Sequence, residues 1–257
     1  MTGLPARALL QAVPDTYVHA TVGFLASGEP IDLALARVQH AAVVAGMEWL
    51  GFTPTVLGVD GAGPDAVFVE DPVVVHGSRV AFLQSAHPVR ALEGPRLAPV
   101  FEAWGLERVD MGGEARMDGG DVMIVGDRAF VGLSSRTNRA GAAALGALLG
   151  LSVEVVELPD DVLHLKCATS PLGDGRILAT AALAERIGLP AVIVPDAESY
   201  AANCVAHEGR VLCAAGFPRT ADALLRAGFE VRALELSEIR KGDGSITCLS
   251  VRATTPA

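Results

Sequence analysis

The most regular feature of the chain is a recurring order of apolar and polar positions: a short β-branched run, a tight turn, a second short run, then a stretch with helical spacing. It is seen first as Ala66 to Val75, the turn His76-Gly77-Ser78 and Val80 to Leu83, leading to a helix that ends near Trp104. It returns as Asp121 to Val125, Gly126-Asp127 and Ala129 to Leu133, before a helix over Arg139 to Leu149. A third copy joins Leu163 to Cys167 with Ile177 to Ala179 and a helix over Ala182 to Ile187. A fourth joins Ala202 to Ala206 with Val211 to Cys213 and a helix over Ala221 to Ala227. The fifth is split: Ile246 to Val251 is one half, and its partner strand is expected near Tyr17 to Val22. The turns have hairpin chemistry, and Ile31 to Leu50, apolar at Leu33, Val38, Ala41, Val44 and Met47 and closed by Gly51, predicts an amphipathic helix.

A hairpin with one helix cannot bury its own apolar face, so such units must pack around a common centre. The expectation is an α/β protein, one domain over residues 1–257, in which five units close on one another and the first strand of each lines the middle. A doubly wound parallel sheet competes, but it needs strands separated by helices rather than hairpins, and no glycine-rich phosphate loop follows a strand.

Composition narrows the partners. With 51% hydrophobic and 19% charged residues the chain reads as a globular protein, and its net charge of −10 weighs against nucleic acid while permitting a cationic ligand. No stretch is long and apolar enough to span a bilayer and residues 1–5 do not read as a signal peptide, so a cytoplasmic location is expected. The four cysteines, none in a CxxC pair, suggest reduced thiols rather than a disulfide framework or a structural zinc site.

One of those thiols has a suggestive setting. In Lys241 to Val251 a glycine-flanked acid, Asp243, is followed by a short β-branched run that presents Cys248 to a cleft, although a free cysteine is as readily a small core residue. If the first strands converge, so do the polar residues that interrupt them: Asp65, Glu70 and Asp71, Asp118 and Asp121, His164 and Lys166, and Asn203. Buried charge is costly unless paired or used, and so many acids point to a cation-binding centre. Cys248, His164 and an acid such as Asp118 fit an arrangement in which the acid orients the imidazole and the imidazole carries protons.

These residues also lie in motifs. Pro64-Asp65 with Phe68-Val69-Glu70-Asp71, Asp118-Gly119-Gly120-Asp121-Val122, Gly132 to Asn138, Leu163-His164-Leu165-Lys166, Ala201 to Cys204, Gly216 to Thr220 and Asp243 to Cys248 run in order over most of the chain. In them the chain resembles the dimethylarginine dimethylaminohydrolase family of the guanidino-group-modifying (pentein) superfamily. The resemblance implies a five-bladed pseudo-symmetric α/β propeller built from ββαβ-like repeats. It implies hydrolysis of Nω-methylated arginines to citrulline and dimethylamine or methylamine through a covalent cysteine intermediate. Cys248 would be the nucleophile, His164 the proton donor and later the base, and Asp118 the acid that orients it. Asp71, with Asp65 and Glu70, would hold the guanidinium, because a carboxylate accepts its parallel N–H groups bidentately. Arg136 and Arg90 would grip the α-carboxylate, the backbone at Gly242 and Asp243 would meet the amino-acid end, and Val18 is the positional match to a lid residue. No metal and no cofactor is implied; the partner is a small guanidinium amino acid, and domains of this kind often pair as homodimers through an outer edge. Two alternatives stand beside this: a related cysteine hydrolase or amidinotransferase acting on another guanidine such as arginine, and a non-catalytic binding protein on the same scaffold.

Overall fold

The computed structural model describes residues 6–21, 29–87, 90 and 93–254. Its strands form five three-stranded sheets. In the first, β1 (Arg7–Gln11) lies between β2 (Thr53–Leu57) and the last strand of the chain, β15 (Val251–Ala253), with α1 (Leu33–Trp49) between β1 and β2 in sequence. The other four repeat one order: β3 (Val73–His76), β4 (Arg79–Phe82), α2 (Gly94–Ala103) and β5 (Glu107–Asp110); β6 (Val122–Val125), β7 (Arg128–Leu133), α3 (Arg139–Leu149) and β8 (Ser152–Glu157); β9 (Thr169–Pro171), β10 (Ile177–Thr180), α4 (Ala181–Ile187) and β11 (Ala191–Val194); β12 (Val205–His207), β13 (Arg210–Ala214), α5 (Pro218–Arg226) and β14 (Glu230–Leu234). In each, the first strand is antiparallel to the middle one and the third is parallel to it. A parallel neighbour requires a crossover, and the helix supplies it.

The ring closes through the middle strands. Successive side chains of a strand point to opposite faces, and each middle strand here feeds two different clusters. Leu9 of β1 packs with Val80 and Phe82 of β4, while Ala81 of β4 packs with Ala129 and Val131 of β7. Phe130 of β7 joins Ile177 and Ala179 of β10, and Leu178 joins Val211 and Cys213 of β13. Leu212 and Ala214 then return to Ala8 and Leu10 of β1. Each blade is thus held on both faces by its neighbours, the arrangement of a five-bladed pseudo-symmetric α/β propeller.

The sequence expectation needs correction at the inner ends of the blades. Three of the first strands begin later than the apolar runs suggest, at Val73, Thr169 and Val205, and the C-terminal strand begins at Val251. Most of the residues ahead of them form turns, with 3-10 segments at Gly119–Asp121, Leu165–Cys167, Asp196–Ala202 and Thr247–Leu249. The reason lies in where their backbone donors go. Gly119 N–H donates to the Asp71 carbonyl (2.8 Å), Glu70 N–H to the Cys248 carbonyl (3.2 Å) and Thr247 N–H to Asn203 Oδ1 (2.9 Å). Those donors reach across to neighbouring blades, so no strand ladder forms. The partner of the C-terminal strand is also different: it is β1, whereas Tyr17 sits in a 3-10 turn, Asp15–His19, and Val22 lies outside the described residues.

Candidate active site

The irregular inner segments meet in one pocket, and most of the candidate residues line it. Asp65, Asp71, Arg90, Arg136, His164, Gly242, Asp243 and Cys248 all do so, joined by Thr21, Phe68, His87, Leu163 and Gly244. Glu70, Asp118 and Val18 do not.

Cys248 is carried on the Thr247–Leu249 turn. Asn203 braces that turn from the fifth blade: its side chain accepts from Thr247 N–H and donates to Thr247 Oγ1, each at 2.9 Å. The approach to the turn is crowded, since a Cβ on Gly244 would collide with the Phe68 ring. Burial pushes the Cys248 thiol far above its usual range, and the carboxylates of Glu70 and Asp71 add to the effect.

His164 is extended rather than part of a strand, at the head of the 3-10 turn Leu165–Cys167. Its ring lies against the backbone of Gly120, where a Cβ would stand 2.7 Å from Nδ1. Nε2 is 3.5 Å from Asp118 Oδ2, and Arg136 Nη1 is 3.7 Å from the same oxygen. Neither carboxylate oxygen of Asp118 has a hydrogen-bond partner among the described residues. Burial alone would lower the His164 pKa, but Asp121, Asp118 and Asp71 outweigh it and the imidazole is pushed up to about 9. At neutral pH it is therefore a cation.

Asp71 is ionised as well. Burial works against its charge, but Arg90 and His164 together with the Gly120 N–H (3.0 Å to Oδ1) bring it below the usual carboxylate range. Arg90 is not a free fork at the pocket rim: its Nη1 lies 2.5 Å from Asp71 Oδ2, its Nη2 donates to the Phe68 carbonyl at 3.1 Å, and it also pairs with Glu93. Glu70 and Asp71, which the sequence would equally allow as a solvated strand end, are 4% and 5% exposed. Glu70 turns away from the pocket, to Lys166, Arg252 and Thr247.

The lid expectation is displaced. Val18 is 42% exposed, while Tyr17 beside it is fully buried and Thr21 lines the pocket. Thr21 caps Asp65 with both its N–H (2.9 Å) and its Oγ1 (2.8 Å). Sequence reasoning passed over Thr21, Phe68 and Leu163 because nothing marks an isolated threonine, or an apolar residue inside an apolar run, as facing a pocket. Asp243 has φ 59, a left-handed conformation that is uncommon outside glycine and that turns the backbone at the pocket edge. Among the described residues no group of three or more His, Cys, Asp or Glu side chains is arranged to hold a metal ion, and no helix is long and apolar enough to cross a membrane.

No protein-family model matches the chain. Individual proteins do. It is 34% identical over 260 residues to the N(G),N(G)-dimethylarginine dimethylaminohydrolase of Pseudomonas aeruginosa, covering 96% of each. It is 35% identical over 229 residues to the enzyme of the same name from Streptomyces coelicolor, covering 87% of this chain and 88% of that one. A solved structure of a mutant P. aeruginosa enzyme complexed with citrulline superposes with a TM-score of 0.89 at 31% identity, over 97% of this chain and all of that one. Five blades closing on a pocket lined by a cysteine, a histidine and several carboxylates define the guanidino-group-modifying α/β propellers as the class. Within that class, the chain belongs to the dimethylarginine dimethylaminohydrolase family.

Proposed function

We propose that the chain hydrolyses asymmetric dimethylarginine and monomethylarginine to citrulline, releasing dimethylamine or methylamine, with Cys248 as nucleophile, His164 as acid and base, and Asp71 holding the guanidinium. The observation that carries this reading is the meeting of Cys248, His164 and Asp71 in one pocket although they come from different blades.

The charges set the order of events. In the free protein Cys248 is a thiol beside carboxylates, and His164 is an imidazolium. A guanidinium delivered to Asp71 brings the positive charge that lets the thiol lose its proton to solvent, so the nucleophile forms where its target is bound. The Cys248 sulfur adds to the guanidinium carbon. As the tetrahedral adduct collapses, His164 gives its proton to the departing amine nitrogen, the C–N bond breaks, and an S-alkylthiouronium remains. The now neutral His164 takes a proton from water. The hydroxide adds to the same carbon, the C–S bond breaks as the new hydroxyl gives its proton to solvent, and citrulline leaves the regenerated thiolate. Asp118 keeps the imidazole oriented and stabilises its charged form through the 3.5 Å contact.

At the other end of the substrate, Arg136 receives the α-carboxylate. Arg90 joins it on releasing Asp71, since one carboxylate cannot serve two guanidinium groups bidentately. Asp65, beneath Thr21, and the backbone at Gly242 and Asp243 meet the amino group. Incubating the protein with asymmetric dimethylarginine, monomethylarginine and arginine, and measuring citrulline with the amine released, tests the reading. Dimethylamine and methylamine support it, ammonia from arginine would make the chain an arginine hydrolase instead, and no citrulline from any of the three would overturn it.

A further inference from the structure

A cluster of buried charge beside the Cys248 turn has no part in the reaction just described. Glu70 Oε1 accepts from Lys166 Nζ at 2.5 Å and from Arg252 Nη2 at 3.2 Å, and Oε2 accepts from Thr247 Oγ1 at 2.7 Å. The backbone N–H of Glu70 donates to the carbonyl of Cys248 itself. Asn203 closes the circuit, donating to the Lys166 carbonyl at 2.9 Å while it braces Thr247. Lys166 is 7% exposed. A buried ammonium is stable only when paired, and an apolar pair of similar volume would usually fold as well. Two cations on one carboxylate also exceed what neutrality needs.

We propose that Lys166 and Arg252 are positioning residues for the nucleophile: by clamping Glu70 against Thr247 they fix the turn that presents Cys248 and offset the negative charge beside its sulfur. This rests on Cys248 being the nucleophile of the proposed reaction. Four blades contribute. Glu70 precedes β3, Lys166 precedes β9, Asn203 precedes β12 and Arg252 lies in β15, so the clamp ties the turn to the middle of the ring. The groups around the thiol are Glu70, Asp71, Cys167, Tyr17 and Tyr200, with His164, Asp65, Arg90 and Arg136 in the same pocket, and Glu70 and Asp71 oppose its ionisation. Removing Lys166 would free the Glu70 carboxylate to move and leave its charge less compensated, which works against the thiolate in both ways.

Alkylation of Cys248 by iodoacetamide, followed by peptide mass spectrometry so that Cys167, Cys204 and Cys213 are counted separately, tests this without requiring turnover. It therefore gives a result even for a chain that forms no citrulline. In Lys166→Met the rate at pH 8.5 should fall about tenfold, equivalent to a shift of one pKa unit, and the pH profile should move to higher pH. Lys166→Arg should keep the rate within about threefold of the parent, and Glu70→Gln combined with Lys166→Met should recover most of the loss, because the uncompensated carboxylate is then gone. Arg252→Met, whose side chain is 23% exposed, serves as the second variant should Lys166→Met not fold, and should shift the profile in the same direction. A folded Lys166→Met or Arg252→Met protein whose alkylation profile superimposes on the parent's would overturn the proposal.

Discussion

Asp118 and Asp121 stand at the two ends of one glycine turn, both fully buried, and the fold treats them in opposite ways. Asp121 accepts from Ser134 Oγ and Thr137 Oγ1, each at 2.6 Å, and from Leu165 N–H at 3.0 Å. Asp118 has only the charges of His164 and Arg136 at 3.5 and 3.7 Å. Hydrogen bonds to a charged group contribute roughly 1.5–3 kcal/mol each, whereas a buried polar atom without a partner costs about 1–3 kcal/mol. Burial still outweighs the three bonds and raises the Asp121 pKa, so the bonds hold that carboxylate in place and offset only part of its burial, whereas Asp118 has no hydrogen bond among the described residues to offset its own. The difference separates two uses of the same residue type: Asp121 ties the loop after β7 to the His164 segment, while Asp118 keeps its oxygens available to an imidazolium.

The broadest test removes the reacting groups. Cys248→Ala should form no citrulline, and His164→Gln should lose the acid that general acid–base catalysis makes worth about 10²–10⁴-fold in rate. Both proteins should stay folded, since neither side chain has a bond that the fold depends on among those described.

The next largest effect bears directly on the two acids. Asp118→Asn should lower kcat about a hundredfold or more while leaving the melting temperature equal or higher, because an unbonded buried charge is removed. Asp121→Asn should do the reverse, lowering the melting temperature by the equivalent of about 2–3 kcal/mol, since an amide cannot accept from three donors as a carboxylate does. A single pair of melts and kinetic runs decides the matter. If both variants lost stability and neither lost rate, the two acids would be doing the same job.

Sequence could not have separated this pair. Asp118-Gly119-Gly120-Asp121 is symmetrical as a string, and only the placement of Ser134, Thr137 and Leu165 distinguishes its ends. What was legible were features with a period or a fixed turn. Four of the five middle strands, apolar through their centres because both faces are covered, fell within a residue of expectation, and so did α3, whose bounds match the predicted ones, whereas β1 lies well ahead of the Tyr17 to Val22 stretch expected for it. The inner ends of the blades were misplaced because Ala66 to Val69 and Leu163 to Leu165 read as strand-like, yet the N–H groups of Ala66 and Phe68 close local turns on Gly63 and Asp65, and that of Leu165 donates to Asp121 in the neighbouring blade. The site was legible through His164, Asp71 and Cys248, whose types suit the chemistry. Thr21 was not singled out, and Tyr17 was noted only as part of an expected strand beside Val18, because their roles depend on what lies across the fold from them.

Acidity offers a smaller effect, with opposite signs at two histidines. The His164 pKa in the folded protein, about 9, lies above its unfolded value, so its contribution to stability is complete below about pH 6.5 and is lost as pH rises through 9. Burial lowers the His40 pKa to about 4, partly offset by a backbone bond with Gln11, so its contribution is present above about pH 6.5 and is lost as pH falls toward 4. Thermal melts across this range should show His164→Gln removing part of the alkaline decline and His40→Gln part of the acid one. An alkaline limb unchanged in His164→Gln would mean that Asp118, Asp121 and Asp71 do not raise the imidazole pKa as the geometry requires.

The smallest effect concerns the Tyr17 segment, which differs from both acids in resting on packing rather than on charge. Gly242 has φ −90, a conformation open to any residue, so its lack of a side chain has another cause. A Cβ there would lie 2.6 Å from Tyr17 Oη, and that hydroxyl donates toward the carbonyls of Glu238 (3.2 Å) and Ile239 (3.3 Å) while the ring packs edge-on to Phe68. Tyr17 thereby anchors the segment that brings Thr21 to Asp65. Gly242→Ala should displace the phenol and cost about 1–3 kcal/mol as overpacking does. The KM for asymmetric dimethylarginine should rise several-fold with kcat changed less than about twofold, because the Cys248 turn further along the segment is braced separately by Asn203. Tyr17→Ala should raise KM as well, and in that background Gly242→Ala should add almost nothing, since the clash is already gone. Additive effects in the double variant would show that Gly242 is small for a reason unrelated to Tyr17, and the anchoring of Thr21 over Asp65 would then need another source.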